Sequence, residues 1–210
     1  MTEAPNRSHA VVAKRKAPKK SIDFFPTPFF ATEALCNRLT ALGERLDDKL
    51  CLEPAAGGGH MVEVLERHFK EVVARDLHDP GGVGYERQDF LNYLVDRNRY
   101  QWVITNPPYT LAEDFAHRAI HCSTVGVAFL CRTSFMEGQN RYKRLFAEYP
   151  PTEVLVFTRR VNFVWGELAP EDGKGGQMCF SWFIWRHKVR RRGHNHTRLL
   201  WLAPNEGLES

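Results

Sequence analysis

The chain has 210 residues, of which 43% are hydrophobic and 26% charged, and its formal net charge is +4 at pH 7. This composition is typical of one soluble domain with a sizeable core, and it excludes a disordered chain. No apolar run reaches about 18 residues and no apolar segment follows the basic N-terminus, so we expect neither a transmembrane helix nor a secretory signal. The five cysteines form no CxxC pair, which favours reduced cysteines over a disulfide framework or a zinc ribbon.

The positive charge is concentrated in two segments. Residues 1–20 carry six Lys or Arg against one Glu, and residues 186–198 carry six more with no acid, which leaves 21–185 mildly acidic. Basic segments attract phosphate without selecting a sequence. A solvated tail and a solvated turn explain them equally well, so charge alone leaves nucleic-acid binding open.

Hydrophobic periodicity begins after residue 21. We therefore predict a flexible basic tail over 1–21, a single domain over 22–204 and a short tail over 205–210. After a helix at 31–46, strands and helices alternate. The predicted strands are 49–53, 71–75, 85–90, 102–105, 125–131, 153–158, 178–185 and 198–202, and the predicted helices are 61–68, 111–122 and 140–149.

This alternation predicts an α/β fold with a mainly parallel sheet. The last two strands are joined by a short basic turn, which predicts an antiparallel edge at the C-terminus. Three distinctive segments, EPAAGGG, RD and NPPY, directly follow predicted strands. Because ligands of such sheets bind at the carboxyl ends of the strands, we expect these segments to share one site.

The segment EPAAGGG, residues 53–59, follows one strand and opens a helix. Small residues allow a ligand to approach the backbone, and a helix N-terminus offers unpaired N–H groups. Asp76 lies 19 residues after Gly57, a spacing suited to a carboxylate that binds ribose hydroxyls. The pattern predicts a nucleoside-bearing cofactor, although Val62 replaces the third glycine of the dinucleotide motif and a tight structural turn remains the alternative.

The tetrapeptide Asn106–Tyr109, NPPY, follows the apolar strand WVIT. Its two prolines lack N–H donors, so the Pro107 carbonyl stays available as an acceptor beside the Asn106 side-chain oxygen. Tyr109 adds a flat ring. Two acceptors and a ring suit a planar group with an exocyclic amine, whereas a rigid turn would explain the prolines but neither Asn106 nor Tyr109.

Together these segments resemble the S-adenosylmethionine-dependent adenine-N6 DNA methyltransferases, particularly the compact phage and prophage type, over roughly residues 22–188. The resemblance rests on the order of the motifs, which is more specific than NPPY alone. They are FFPTP at 24–28, EPAAGGG at 53–59, ARD at 74–76, QDF at 88–90, NPPY at 106–109, LCRTSFMEG at 130–138, RRVNF at 159–163 and FSWFIW at 180–185. The resemblance implies a Rossmann-like class I methyltransferase fold, with a seven-stranded, mainly parallel sheet and an antiparallel C-terminal edge.

The resemblance also implies roles for individual residues. S-adenosylmethionine is the implied cofactor, and no metal is needed because the sulfonium already activates the methyl group. The implied cofactor contacts are Phe25, Pro26, Thr27, Glu53, Pro54, Ala55, Gly57, Gly59, Asp76, Asp89, Phe90 and Asn106. The implied catalytic residues are Asn106, Pro107, Pro108 and Tyr109. Tyr109 and Phe163 are implied to stack on the target base once it is flipped out of the duplex.

The implied partner is DNA, double-stranded, in the cytoplasm of a bacterial or phage-infected cell, with no membrane partner. Larger members of this family carry a separate target-recognition domain, whereas here only the loops 165–177 and 186–198 are left over, so these loops are the candidate DNA contacts. NPPY also occurs in methyltransferases of ribosomal RNA and of protein glutamine, so RNA adenine and a glutamine amide remain alternative substrates. A non-enzymatic nucleic-acid-binding protein is a further alternative, which intact Asp76, Asp89 and NPPY disfavour. A nicotinamide oxidoreductase is another, which the absent third glycine and NPPY disfavour.

Overall fold

The computed structural model describes residues 24–92, 99–169, 178–189 and 196–207. The predicted basic tail over 1–21 lies outside these residues, as do most of the loop 165–177 and the centre of the basic turn 186–198. The strands are β1 (Leu50–Glu53), β2 (Glu71–Asp76), β3 (Glu86–Arg87), β4 (Tyr100–Thr105), β5 (Ser123–Arg132), β6 (Glu153–Phe157), β7 (Phe180–Arg186) and β8 (Arg198–Leu202). The helices are α1 (Phe29–Ala41), α2 (His60–His68), α3 (Ala112–Cys122) and α4 (Gln139–Arg141), which continues as a π-helical turn over Tyr142–Phe146. No helix in the described part of the chain is long and apolar enough to cross a membrane.

The strands form one sheet in the order β3-β2-β1-β4-β5-β7-β6-β8. Strand β7 runs antiparallel to both β5 and β6, and the other pairs are parallel. The predicted α/β fold with a mainly parallel sheet and antiparallel pairing near the C-terminus is therefore confirmed.

Two details of the predicted sheet are wrong. The sheet has eight strands, as the local patterns predict, rather than the seven that the resemblance implies. The last two strands do not pair with each other: β8 pairs in parallel with β6. The reason is that β5 and β6 occupy both edges of β7, so none remains for a hairpin partner.

The two faces of the sheet carry separate buried clusters. One joins α1 and α2 to the sheet, and the other joins α3 to the opposite face. Strand β7 is buried along its length, as a strand covered on both faces must be. The Trp182 indole donates to the Ala31 carbonyl at 2.8 Å, and the Trp185 indole donates to the Tyr149 carbonyl at 2.9 Å. The two rings thus anchor opposite layers to one strand.

The sheet has a carboxyl edge, where β1, β2, β4 and β5 end, and an amino edge, where they begin. Because β7 is antiparallel, it begins at the carboxyl edge and ends at the amino edge. Both described ends of the basic turn 186–198 therefore lie at the amino edge. The loop 165–177 starts at the carboxyl edge, where the Gly166 amide donates to the Phe24 carbonyl at 2.9 Å.

A buried ion network closes the amino edge. Glu153 is 1% exposed and accepts from Arg186 Nη2 at 2.6 Å and from Arg198 Nη2 at 3.0 Å. Arg186 also contacts Glu44 at 3.3 Å. Burial alone would raise the pKa of Glu153, but the Arg186 hydrogen bonds and the arginine charges hold that pKa below its usual value. Two cations of the segment 186–198 are thus paired with a buried acid.

The described part of the predicted C-terminal tail, residues 205–207, lies against α1. Glu206 forms a two-point ion pair with Arg38, with N–O distances of 3.0 and 2.8 Å. Gly207 has φ of 86°, and a Cβ there would lie 2.2 Å from the Phe30 carbonyl oxygen. The chain therefore packs on the domain as far as Gly207.

Candidate functional site

A cavity of about 340 Å³ opens at the carboxyl edge, between the ends of β1, β2 and β4 and the segment before α1. It brings together residues that lie far apart in the sequence. Of the predicted site residues, those lining it are Phe25, Pro26, Thr27, Glu53, Pro54, Ala55, Gly57, Asp76, Asp89, Phe90, Asn106, Pro107, Pro108 and Tyr109. Gly59 and Phe163 are not among the lining residues.

The glycine loop has a backbone that side chains would disrupt. Gly57 and Gly59 have φ of 55° and 82°, in the left-handed region that favours glycine. Gly59 is the N-cap of α2, and a Cβ there would lie 2.5 Å from the Tyr85 hydroxyl. A Cβ on Gly81 would lie 2.4 Å from the Cα of Gly58. Gly81 was not predicted as a site residue. The one sequence feature that could have indicated it is the turn-forming DPGG run after β2.

Asp76 ends β2 and braces this loop. Its Oδ2 accepts from the Gly57 amide at 2.9 Å, and its Oδ1 accepts from the amides of His78 and Asp79 at 2.8 and 3.2 Å. A carboxylate oxygen can accept two hydrogen bonds. Oδ2 therefore keeps the capacity to accept from a ligand hydroxyl, while the bond to Gly57 couples that acceptor to the glycine loop.

Glu53 ends β1 and is 1% exposed. Its Oε1 accepts from the Ala55 amide at 2.9 Å. Burial raises the pKa of Glu53 to about 8. A buried acid with a raised pKa in the wall of a cavity is a functional-site candidate, because an approaching cation would restore its charge.

Asn106 is oriented by the segment before α1. Its Nδ2 donates to Thr27 Oγ1 at 3.1 Å and, over a longer 3.4 Å, to the Phe25 carbonyl. A carbonyl only accepts, so the amide nitrogen must face that side. The opposite atom, Oδ1, is buried with no hydrogen-bond partner among the described residues. Because Phe25 and Thr27 of FFPTP fix the amide nitrogen, the Asn106 oxygen is held as an oriented hydrogen-bond acceptor.

Tyr109 lies among aromatic and cationic side chains. Its ring centroid is 5.9 Å from that of Phe25 and 6.2 Å from that of Phe180, and the Arg132 guanidinium carbon lies 4.9 Å from it. Phe163 packs on Phe180 at 4.5 Å, one ring removed from Tyr109. Arg132 and Phe180 lie within the motifs LCRTSFMEG and FSWFIW, but no role was predicted for either residue.

Asp89 and Phe90 follow β3 at the other end of the cavity. Asp89 Oδ1 accepts from the Leu91 amide at 3.0 Å, and Phe90 is buried against Phe115 with ring centroids 5.0 Å apart. The Gln88 amide donates to the Asp76 carbonyl at 2.9 Å. This bond ties the QDF segment to the end of β2.

No protein-family model and no curated protein matches the chain. Solved structures do resemble it. A Listeria monocytogenes protein assigned to the class I S-adenosylmethionine-dependent methyltransferases has a TM-score of 0.60 and 13% identity, over 84% of this chain and 65% of that one. A type I restriction-modification methyltransferase subunit from Streptococcus thermophilus has a TM-score of 0.61 and 12% identity, over 87% and 48%. A Pyrococcus horikoshii protein assigned as an RNA methyltransferase has a TM-score of 0.59 and 17% identity, over 81% and 90%.

The chain spans 65% of the Listeria protein and 48% of the Streptococcus subunit. At such low identities the likeness shows the fold alone. One of these structures is a restriction-modification methyltransferase subunit, and another is assigned as an RNA methyltransferase. The strand order and the cavity at the carboxyl edge agree with this likeness. The chain therefore has the Rossmann-like fold of the class I methyltransferases.

Proposed function

We propose that this protein transfers a methyl group from S-adenosylmethionine to the exocyclic N6 amine of adenine in DNA, after the base is flipped out of the duplex. The observation that carries the proposal is the orientation of Asn106. Its amide nitrogen is engaged by Thr27 and Phe25, and its buried oxygen has no partner among the described residues. A buried acceptor that makes no hydrogen bond destabilises the protein. A ligand N–H that donates to Asn106 Oδ1 therefore recovers that free energy on binding.

The cavity fits the proposed cofactor. Its walls combine the glycine loop, the Asp76 acceptor for a ribose hydroxyl and the buried Glu53 carboxyl. A Cβ on Gly57 would lie 3.2 Å from the Phe24 ring, which is a tight contact, and its φ of 55° also disfavours a larger residue. S-adenosylmethionine would supply a methyl group already activated by its sulfonium, which leaves orientation as the main task of the protein.

The residues of NPPY perform that task in the proposed mechanism. Asn106 Oδ1 and the Pro107 carbonyl accept from the two N6 protons, which directs the nitrogen lone pair toward the cavity. The new N–C bond would form as the S–CH3 bond of the cofactor breaks and its electron pair stays on sulfur, and the methylated amine would then lose one of these protons to water. Tyr109 stacks on the flipped base, an interaction worth ~1–3 kcal/mol. Phe163 is the proposed partner for the other face of the base and would reach it from beside Phe180.

The test is transfer of a tritiated methyl group to unmethylated duplex DNA, followed by mass analysis of the nucleosides. We expect N6-methyladenine as the product. Asn106→Ala should lower kcat by at least about 100-fold, because the amine is no longer held in line, while the calorimetric Kd for the cofactor changes little. Transfer to RNA or to a protein amide, with none to DNA, would replace the proposed substrate.

A second variant tests the orientation of Asn106 rather than its presence. Thr27→Val removes the closer acceptor of the Asn106 amide nitrogen, so kcat should fall by less than in Asn106→Ala. Thr40→Val is the matched control, because Thr40 bonds only within α1, to the Cys36 carbonyl. Equal activity of the two threonine variants would contradict the assigned role of FFPTP.

A further inference from the structure

Two arginines at the carboxyl edge, Arg132 and Arg160, are not held by the ion pairs that occupy several other arginines. Several arginines pair with carboxylates: Arg38, Arg45, Arg67, Arg75, Arg144, Arg186 and Arg198. Among the described residues, neither Arg132 nor Arg160 has a carboxylate partner. Arg132 is half-buried, and its Nε has no hydrogen-bond partner in the described chain. A partly desolvated guanidinium without an anion is poised to bind one.

Both arginines lie at the start of β7. Arg132 is the register partner of Phe180, and the next amide, that of Thr133, donates to the Cys179 carbonyl at 2.8 Å. Arg160 Nη1 lies 3.6 Å from the Cys179 sulfur. Arg132, through its backbone, and Arg160, through its side chain, therefore both adjoin the Cys179–Phe180 segment, although they are 28 residues apart in the chain.

An aromatic row adjoins the arginines. Tyr109, Phe180 and Phe163 follow one another with centroid separations of 6.2 and 4.5 Å. Tyr109 lines the cavity, and the Arg132 guanidinium lies over its ring. Cationic groups beside aromatic rings are a combination that binds nucleic-acid strands, because phosphates and bases alternate along such strands.

We infer that Arg132 and Arg160 bind backbone phosphates of the DNA strand next to the flipped base. The inference rests on the proposed function and specifies where the substrate lies. The strand crosses the start of β7, with its base directed into the cavity along Tyr109. The bidentate geometry of guanidinium suits phosphate oxygens, and Arg132 couples phosphate binding to the position of Tyr109.

The experiment measures the Kd of fluorescein-labelled duplex DNA at several salt concentrations, with S-adenosylhomocysteine present to prevent turnover. Each lost phosphate contact lowers the slope of log Kd against log salt by about 0.9. We expect that decrease for Arg132→Gln and for Arg160→Gln, and about twice as much for the double variant. Arg132→Lys keeps the charge and should keep the slope. Arg45→Gln is the matched control, at a side chain 74% exposed and away from the cavity.

The outcomes separate this inference from the proposed function. Wild-type protein that methylates DNA, with unchanged slopes in both glutamine variants, overturns the inference alone. Wild-type protein that neither binds nor methylates DNA overturns both. Slope changes seen only with single-stranded RNA overturn the assignment to DNA. If Arg132→Gln fails to fold, Arg160→Gln decides the question, since Arg160 is exposed and its substitution leaves the core intact.

Discussion

Glu53 and Glu153 are equally buried glutamates at opposite edges of one sheet, and each is 1% exposed. At the amino edge, Arg186 and Arg198 surround Glu153 and hold its pKa below the usual value despite burial. At the carboxyl edge, burial raises the pKa of Glu53 to about 8. Among the described residues, no arginine or lysine forms an ion pair with Glu53.

We interpret the difference as that between a structural acid and a proposed cofactor-binding acid. Glu153 is satisfied by the chain itself, so its network stabilises the junction of β6, β7 and β8. Glu53 lies in the wall of the cavity, where the proposed cofactor would bind. The same comparison applies to arginines, since Arg186 is paired and buried whereas Arg132 beside the cavity has no acid partner in the described chain.

The largest expected effect is at the amino edge. Glu153→Gln removes the closer anion from buried Arg186, which keeps only Glu44 at 3.3 Å, so the free energy of unfolding should fall by up to about 3–5 kcal/mol. Urea denaturation measures this loss, and Glu206→Gln, in a more exposed pair, should cost about 1 kcal/mol or less. A cost for Glu153→Gln no larger than that control would show that the network is not structural.

The next effect is at the carboxyl edge. Asp76→Ala removes the acceptor for the Gly57 amide and for the proposed ribose hydroxyl. Loss of hydrogen bonds to a charged group costs about 1.5–3 kcal/mol, so cofactor affinity should fall by about 10- to 100-fold in calorimetry. Asp79→Ala, in the same loop, serves as the control. Unchanged affinity of the Asp76 variant would refute the ribose assignment.

A smaller effect concerns pH. The folded protein keeps the Glu53 proton up to about pH 8, whereas the unfolded chain loses it near 4.5. The folded state therefore binds more protons between these values, and the free energy of unfolding contributed by Glu53 falls as pH rises through that window. Denaturation of wild type and Glu53→Gln across it measures the difference. A wild-type curve no steeper than that of the variant would contradict the raised pKa.

Cofactor binding should also be coupled to the ionisation of Glu53. A cation beside Glu53 favours its carboxylate, so binding of S-adenosylmethionine near pH 7 is expected to release a proton from the protein. Calorimetry in buffers of different ionisation enthalpy detects this release. Glu53→Gln should abolish it, and equal proton release in both proteins would place its source elsewhere.

The smallest expected effect tests whether the amino edge contacts DNA. Lys188 is exposed at the described start of the basic turn, on the side of the sheet away from the cavity. Lys188→Gln should change the Kd for DNA by less than about twofold, because a single distant contact is largely screened. A loss as large as that of Arg160→Gln would show that both edges of the sheet meet the substrate.

Much of the fold could be read from local patterns. The alternation of strands and helices and the placement of EPAAGGG and NPPY after strands were predictable, because periodicity and turn chemistry are properties of short segments. The hairpin of β7 and β8 was mispredicted for the same reason. Adjacency in sequence favoured their pairing, whereas β7 buries both faces and both edges between β5 and β6.

The sequence by itself determined the α/β class and which residues meet at the carboxyl edge. The tertiary structure alone decided what each polar group contacts there. It ties the Asn106 nitrogen to Thr27, it pairs Arg186 and Arg198 with Glu153, and it leaves Glu53 without an ion-pair partner in the described chain. These contacts join segments 33 to 79 residues apart or depend on burial. Hydrogen bonding and desolvation act through space, so the order of residues along the chain does not encode them locally.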